Sequence, residues 1–380
     1  MDLKDYREKI DSIDSQLVEL FKERMSVAKD IAQYKKENHI NVYDAARERE
    51  KINAVRDQSG DELSSFASVL YTTLMELSKT YQNSILRETS PIGDEIRKAL
   101  AETPKLFPEQ AVIACQGIEG AYSQIGASRL FPFPNIMFFN SFENVFSAVS
   151  NGLCRYGILP LENSTAGSVN KVYDLMSKYN FKIVRSVRIK VDHNLLAKKG
   201  AKISDIKEIY SHEQAISQCG EFLKSLPGVK VTAVENTAVA ARMVSQSERT
   251  DIAALSSRSC AEIYSLDILR DSVQDKGSNY TRFICISKDL EIYPGADCTS
   301  VMLTVPHKPG ALYRVMARIN ALGINLMKLE SRPIPDSNFE FKFYFDLNTS
   351  VYSDKFIQLM GELDEQCETF SYLGSYSEVI

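Results

Sequence analysis

The sequence predicts three unlike parts: an all-helical domain, a two-lobed α/β domain and an α+β ferredoxin-like domain. Three observations carry that reading. From Leu3 to about Glu37 there is neither proline nor glycine, and apolar residues recur at Leu3, Tyr6, Ile10, Ile13, Leu17, Leu20, Val27, Ala28 and Ile31, one face of a very long helix. From Ala111 the pattern becomes strand, loop, helix, repeated. After "EIYPGADC" the order becomes βαββαβ, that of a ferredoxin-like sandwich.

The first helix breaks its own pattern. Its apolar rhythm places Arg24 and Lys35 where leucine belongs, and buried cations are costly unless paired or used. They lie eleven residues apart, about three turns and roughly 16 Å along one face, so their long side chains can close on a small dianion. Arg7 precedes Arg24 by seventeen residues, roughly 25 Å away and rotated by roughly 100°. It does not easily reach the same ligand within one chain, but a second chain packed antiparallel could deliver it. The competing reading is that all three are solvated or snorkelling heads. Asp44, Arg47 and Glu48 share a face of a second short helix, "DAARERE". Ser78 and Gln82 are one turn apart on a third, whose core stripe is Leu63, Phe66, Leu70, Leu74, Leu77 and Tyr81.

Residues 89–108, with three prolines, read as a linker carrying a short helix. In 109–289, "AVIACQ", "YGILPLENS", "FKIVRSVRI", "EIYSH", "VKVTAV", "IAALS" and "TRFICIS" read as strands of mostly parallel sheets, alternating with helices. A late return of "TRFICIS" to the first sheet implies two lobes, about 109–188 plus 272–289 against 189–271. Gly117 and Gly120 lack dinucleotide spacing. They read either as amides holding a carboxylate at a helix N-terminus or as a steric necessity of the turn. In 297–380, Gly310, Ala311 and Leu312 open a helix whose amides can take a carboxylate, and Glu330, Ser331 and Arg332 end a strand. The alternative is a plain turn glycine and a surface pair.

Composition adds exclusions. Net charge is −5, which gives no nucleic-acid footprint. The seven cysteines show no CxxC pair, and His39, His193, His212 and His307 are dispersed, which argues against zinc and for reduced thiols in the cytoplasm. The N-terminus is acidic and amphipathic, unlike a signal peptide, and no apolar run approaches membrane length.

The segment "YREKIDSIDSQLVELFKERMSVAKDIAQYKKENHINVYDAAREREKI", followed by "SKTYQ", resembles the all-helical chorismate mutases over residues 1–88. The resemblance implies a pocket of Arg7, Arg24, Asp44, Arg47 and Ser78 around catalytic Lys35, Gln82 and Glu48, with Arg7 supplied across an interlocked dimer. "PLENSTAGSV", "DHNLL", "YSHEQAISQC" and "NYTRF" resemble prephenate dehydratase over 109–289, with lobes arranged as in periplasmic binding proteins. That resemblance makes Thr281 the proton or hydrogen-bond donor. A threonine hydroxyl is a poor acid, so a chain drawn from Asn163, Ser164, Thr165, Ser211 and Gln218 supports it, with Glu162 as orienter. Arg282 pairs a substrate carboxylate or is structural, and His212 and His193 are secondary candidates. "CQGIEGAYS" departs from the family's usual aromatic-Leu-Gly-Pro start, and Cys115 there reads as a buried strand residue. "PGALY" and "ESRP" resemble the ACT domain of phenylalanine-inhibited prephenate dehydratases, which implies effector contacts at Gly310–Leu312 and Glu330–Arg332.

In this order the resemblances imply conversion of chorismate to prephenate and on to phenylpyruvate by a homo-oligomer, with phenylalanine as inhibitor and no cofactor or metal. Two alternatives stand beside it: a monofunctional dehydratase whose helical domain only dimerises, and a ligand-binding sensor.

Overall fold

The computed structural model describes residues 2–38, 40, 42–86, 90–275, 277–334 and 340–380; His39 lies outside them. The chain forms two compact units, Met1–Lys98 with Leu303–Ser371, and Ala99–Met302 with Tyr372–Ile380.

Helix α1 (Leu3–Glu37) starts at a capping box: Asp2 accepts from the Lys4 and Asp5 amides at 2.8 and 2.9 Å, and Asp5 accepts from the Asp2 amide. Helix α2 (Ala45–Leu86) is broken at Gly60, whose φ of 68° suits glycine. The two helices read from sequence therefore meet end to end. Of α1 only Ala28 and Ala32 are buried, and Leu3, Ile10, Leu17 and Leu20 of its apolar stripe are exposed in the single chain, as are Leu63, Phe66 and Leu70 of α2. Helix α3 (Pro91–Glu102) is the short helix of the expected linker.

The second unit holds two sheets. Its elements are β1 (Gln110–Gln116), α4 (Tyr122–Leu130), β2 (Phe133–Phe139), α5 (Phe142–Ser150), β3 (Tyr156–Asn163), β4 (Gly167–Ser168), α6 (Asn170–Tyr179), β5 (Lys182–Lys190) and β6 (Asn194–Ala197). Next come β7 (Glu208–Ser211), α7 (Glu213–Gln218), α8 (Gly220–Lys224), β8 (Lys230–Ala233), α9 (Thr237–Gln246), β9 (Ile252–Ser256), α10 (Arg258–Ile263), β10 (Asp267–Arg270) and β11 (Tyr280–Ser287). The chain's final strand, Glu378–Val379, is β16; the first sheet runs β16-β5-β11-β3-β1-β2, with β4 on β3. The second runs β10-β6-β9-β7-β8. Ile113, Tyr156, Val187 and Phe283 form the first core, and Leu195, Ile209 and Leu255 one face of the second.

These sheets are mixed, which corrects the expectation of mostly parallel ones. Strand β11 enters antiparallel between β3 and β5, and β6 runs antiparallel to β9 and β10. Periodicity shows that a strand is buried but not its direction. Strand β2 was not anticipated; it is an edge strand, where Pro134 is tolerated.

The C-terminal elements are β12 (Cys298–Thr304), α11 (Ala311–Ala321), β13 (Asn325–Pro333), β14 (Phe341–Asn348), α12 (Asp354–Gln366) and β15 (Thr369–Tyr376). The strand order β13-β14-β12-β15 is that of a ferredoxin-like sandwich. At the end of β15 the chain runs close against β5: a Cβ on Gly374 would lie 2.4 Å from the Ile183 carbonyl oxygen, so only glycine fits. Among the described residues no helix is long and apolar enough to cross a membrane.

Candidate functional site

In the helical pocket, α1 and the C-terminal half of α2 face each other. The Arg24 guanidinium donates to the Ser78 hydroxyl and, at 3.2 Å, to the Leu74 carbonyl. Lys35 donates to the Val42 carbonyl at 2.8 Å and lies within the field of Asp44 and Glu48. Burial lowers the pKa of both cations from their ordinary values, against which those two carboxylates raise that of Lys35. The Gln82 side chain is buried and its Oε1 has no partner among the described residues. Asp44 caps α2, accepting from the Ala46 and Arg47 amides. Glu48 is held at 2.7 Å by Lys79, a residue the sequence reading did not single out. Arg47 pairs with Glu50 on the exposed side and Arg7 is exposed, so a single chain gathers neither into the pocket.

The second site is a cavity of about 580 Å³ between the two lobes of the α/β unit. Its walls include Ser123 of α4, Asn163 of β3, Thr281 and Phe283 of β11, and His193, His212 and Gln218. Thr281 and Asn163 are cross-strand neighbours, so they share a face. The Thr165 and Ala166 amides donate to Asn163 Oδ1, which fixes the amide; its Nδ2 then donates to Thr281 Oγ1 at 2.9 Å and to Asn279 Oδ1 at 2.7 Å. Thr165 donates to Asn163 Oδ1 and accepts from Gln218 Nε2 at 2.9 Å. Gln218 Oε1 accepts from Asn279 Nδ2 and from His193 Nε2, each at 3.0 Å. The amide orientations thus place the His193 proton on Nε2. Burial lowers the pKa of His193, which favours this neutral ring. Thr281 Oγ1 receives the hydrogen bond from Asn163, and among the described residues its own hydrogen has no acceptor.

Several sequence candidates stand elsewhere. Ser211 is fully buried and donates to the Leu255 carbonyl. Arg282 and Glu162 pair at 2.7 Å as cross-strand neighbours on the face of β11 and β3 opposite Thr281, which supports the structural reading of Arg282 and removes Glu162 as orienter. Ser164 spends its hydroxyl on the loop, donating to Ser278 O and accepting from the Tyr280 amide. The Gly117 and Gly120 amides are already bonded, to Phe139 O and Gln124 Oε1, so neither glycine amide is available to a carboxylate. A Cβ on Gly120 would lie 2.6 Å from Cys260 Sγ. Asn279 was missed. It begins "NYTRF", and a polar residue just before a buried strand was the available signal. His212 lines the cavity but caps α7, its Nδ1 accepting from the Gln214 amide. Cys115 is buried, which pushes its thiol up to about 12 and leaves it inert. Among the described residues no cluster of His, Cys, Asp or Glu could hold a metal.

In the C-terminal sandwich, Gly310 caps α11 in a left-handed conformation, φ 80°. The Ala311 amide already bonds Lys308 O, so a ligand at this end meets later amides of the turn. Glu330, Ser331 and Arg332 pair with Tyr344, Phe343 and Lys342 across β13 and β14.

A cationic helical pocket, joined in one chain to a two-lobed cleft lined by amides and a hydroxyl, defines a multidomain enzyme for small carboxylates. The comparisons agree with that class. The family model for type II chorismate mutase matches residues 6–83, and that for prephenate dehydratase matches 113–291. The chain is 36% identical to the chloroplastic arogenate dehydratase/prephenate dehydratase 1 of Arabidopsis thaliana, over 70% of this chain and 71% of that one. It is 28% identical to the bifunctional chorismate mutase/prephenate dehydratase of Aquifex aeolicus over 100% of this chain and 99% of the relative. Among solved structures, a quorum quenching acylase matches at TM-score 0.64 and 30% identity, over 70% of this chain and 97% of that one. The Arthrobacter aurescens prephenate dehydratase in complex with L-Phe matches at TM-score 0.64 and 24% identity, over 70% and 90%. This chain belongs to the prephenate dehydratase family and carries a type II chorismate mutase domain ahead of the dehydratase domain.

Proposed function

We propose that this chain rearranges chorismate to prephenate in its helical domain and turns prephenate into phenylpyruvate in its two-lobed domain. The carrying observation is that both domains lie in one chain alignable from end to end with a bifunctional relative. In the rearrangement an ether C–O bond breaks while a C–C bond forms, and charge builds on the ether oxygen. In this reading Lys35 and Gln82 donate to that oxygen and Arg24 holds a carboxylate. In the second step the ring loses CO₂, and the electrons of the broken C–C bond aromatise it as the C4 hydroxyl leaves. One proton is consumed to make water. Thr281, polarised by Asn163, donates toward the leaving oxygen. The test is to follow chorismate and then prephenate by ultraviolet absorbance with the purified chain, with arogenate offered in parallel.

An acyl-transfer reading finds less support. A hydroxyl nucleophile needs a base to accept its proton, and the neighbour of Thr281 is an amide that donates to it.

The working form is a homodimer in the cytoplasm. The exposed apolar stripes of α1 and α2 suit a second copy, which also brings Arg7 into the pocket. Arg7→Ala and Lys35→Ala chains, each inactive alone, should regain mutase activity when mixed and refolded, because one site of a mixed dimer holds both residues. Verified heterodimers without activity would show that Arg7 does not act in trans.

Phenylalanine is the proposed effector, bound near Gly310–Leu312 and Glu330–Arg332. Gly310→Val places a branched side chain at a left-handed φ and beside the ligand. It should abolish phenylalanine inhibition and spare uninhibited dehydratase turnover. Unchanged phenylalanine binding by calorimetry would place the effector site elsewhere.

A further inference from the structure

A line of buried charge runs from the mutase pocket into the C-terminal sandwich. Lys79 of α2 is gripped by Glu48 and by Glu76, each at 2.7 Å, and lies 5.3 Å from the centre of the Tyr43 ring. Arg318 of α11 donates to the other oxygen of Glu76 and lies 3.7 Å from Glu362 of α12. Glu362 accepts from Gln358 at 2.6 Å, and Gln358 also donates to the Thr80 carbonyl of α2 at 2.7 Å. Glu76, Arg318 and Glu362 are each 3% exposed. Glu362 and Lys35 also line one cavity of about 650 Å³.

The signs alternate: Glu48, Lys79, Glu76, Arg318, Glu362. Well-packed apolar residues often replace buried ions without loss of stability, so the buried charges here are weak evidence of stabilisation. Their consequence for the pocket follows from who competes for whom. Lys79 serves two carboxylates. While Arg318 satisfies Glu76, Lys79 can hold Glu48 in place. Without Arg318, Lys79 is the remaining cation paired with Glu76 among the described residues, and Glu76 draws it away. Glu48 is then released toward Lys35, whose field it already shares, and a Lys35 paired to Glu48 is a poorer donor to substrate.

We propose that Arg318, through Glu76 and Lys79, is a positioning residue for the mutase reaction, so that the C-terminal sandwich completes the mutase pocket. The proposal rests on the reading of Glu48 and Lys35 as pocket residues. The test measures chorismate turnover and, as a folding control, dehydratase turnover of added prephenate in the full-length chain. Arg318→Met should slow the mutase by roughly tenfold to a hundredfold, the scale of a misplaced catalytic group, with the dehydratase at the parental rate. The decisive variant is Arg318→Met with Glu76→Gln. It removes the competitor as well, returns Lys79 to Glu48, and should recover most of the lost rate, whereas a packing defect would persist. Arg318→Gln, which removes the positive charge but keeps a long polar side chain, replaces the methionine variant if that one does not fold, with the same loss and the same rescue expected. Parental mutase turnover in the single variant, or a double variant as slow as the single, overturns the relay. Glu48→Gln separates the two levels. If it is slow while Arg318→Met is normal, the relay alone fails; if it turns over chorismate normally, the reading of the pocket fails and the relay with it.

Discussion

Lys35→Ala is expected to lose chorismate turnover by on the order of 10² or more while added prephenate is still converted to phenylpyruvate. The size follows from where charge appears. The ether oxygen gains negative charge only in the transition state, so a donor aimed there lowers the barrier more than it tightens ground-state binding. Lys35 is half-buried, with its position set by the Val42 carbonyl. The loss should therefore fall mainly on kcat. A pH profile adds a sign. Burial lowers the pKa of Lys35 below 10.5, so the protonated, donating form is lost as pH rises through a value below that of an ordinary lysine. The kcat/KM of the mutase, which reports the free enzyme, should fall on that alkaline limb; dehydratase turnover should not share it through Lys35. Near-parental chorismate turnover by a folded Lys35→Ala chain would remove Lys35 from the mechanism.

Thr281→Val should let prephenate accumulate from chorismate with phenylpyruvate formation slowed by on the order of 10² to 10³, as for loss of one transition-state donor. Valine keeps the branched shape on β11, so the cavity wall stays in place. What disappears is the hydroxyl that accepts from Asn163 and that, in the proposed mechanism, donates toward the leaving group. Removing it also leaves Asn163 Nδ2 with Asn279 and the Tyr280 carbonyl as acceptors, so the network through Gln218 and His193 should survive. Prephenate should bind with little change. If phenylpyruvate forms at the parental rate, Thr281 is structural. His212 then becomes the stronger donor candidate, since Glu162 faces away with Arg282.

Much of this was legible because the relevant signals are local. Arg24 and Lys35 stood out as cations on an apolar stripe, and the structure places both at partly buried positions. The βαββαβ order was readable from alternation and turn residues, and Gly310 does start a helix in a left-handed conformation. What stayed hidden depended on pairing across the chain. Glu162 and Thr281 are each polar residues in strands, and only the register of β3 against β11 shows that they face opposite sides. Ser211 sits one residue from His212, yet its hydroxyl points into the second sheet at Leu255. Nothing in the sequence singled out Lys79, Glu76 or Arg318. Their burial is created by α11 and α12 packing on α2, and residues 76 and 318 are too far apart in sequence for any periodicity to join them.

One chain is proposed to perform both steps. The most direct measurement is a single time course: purified full-length protein, chorismate as sole substrate, with chorismate, prephenate and phenylpyruvate quantified together. Chorismate should fall, prephenate should rise transiently and phenylpyruvate should accumulate to match the chorismate consumed. Chorismate left unchanged, by protein that still converts added prephenate, would contradict the proposal and leave a dehydratase whose helical domain only dimerises.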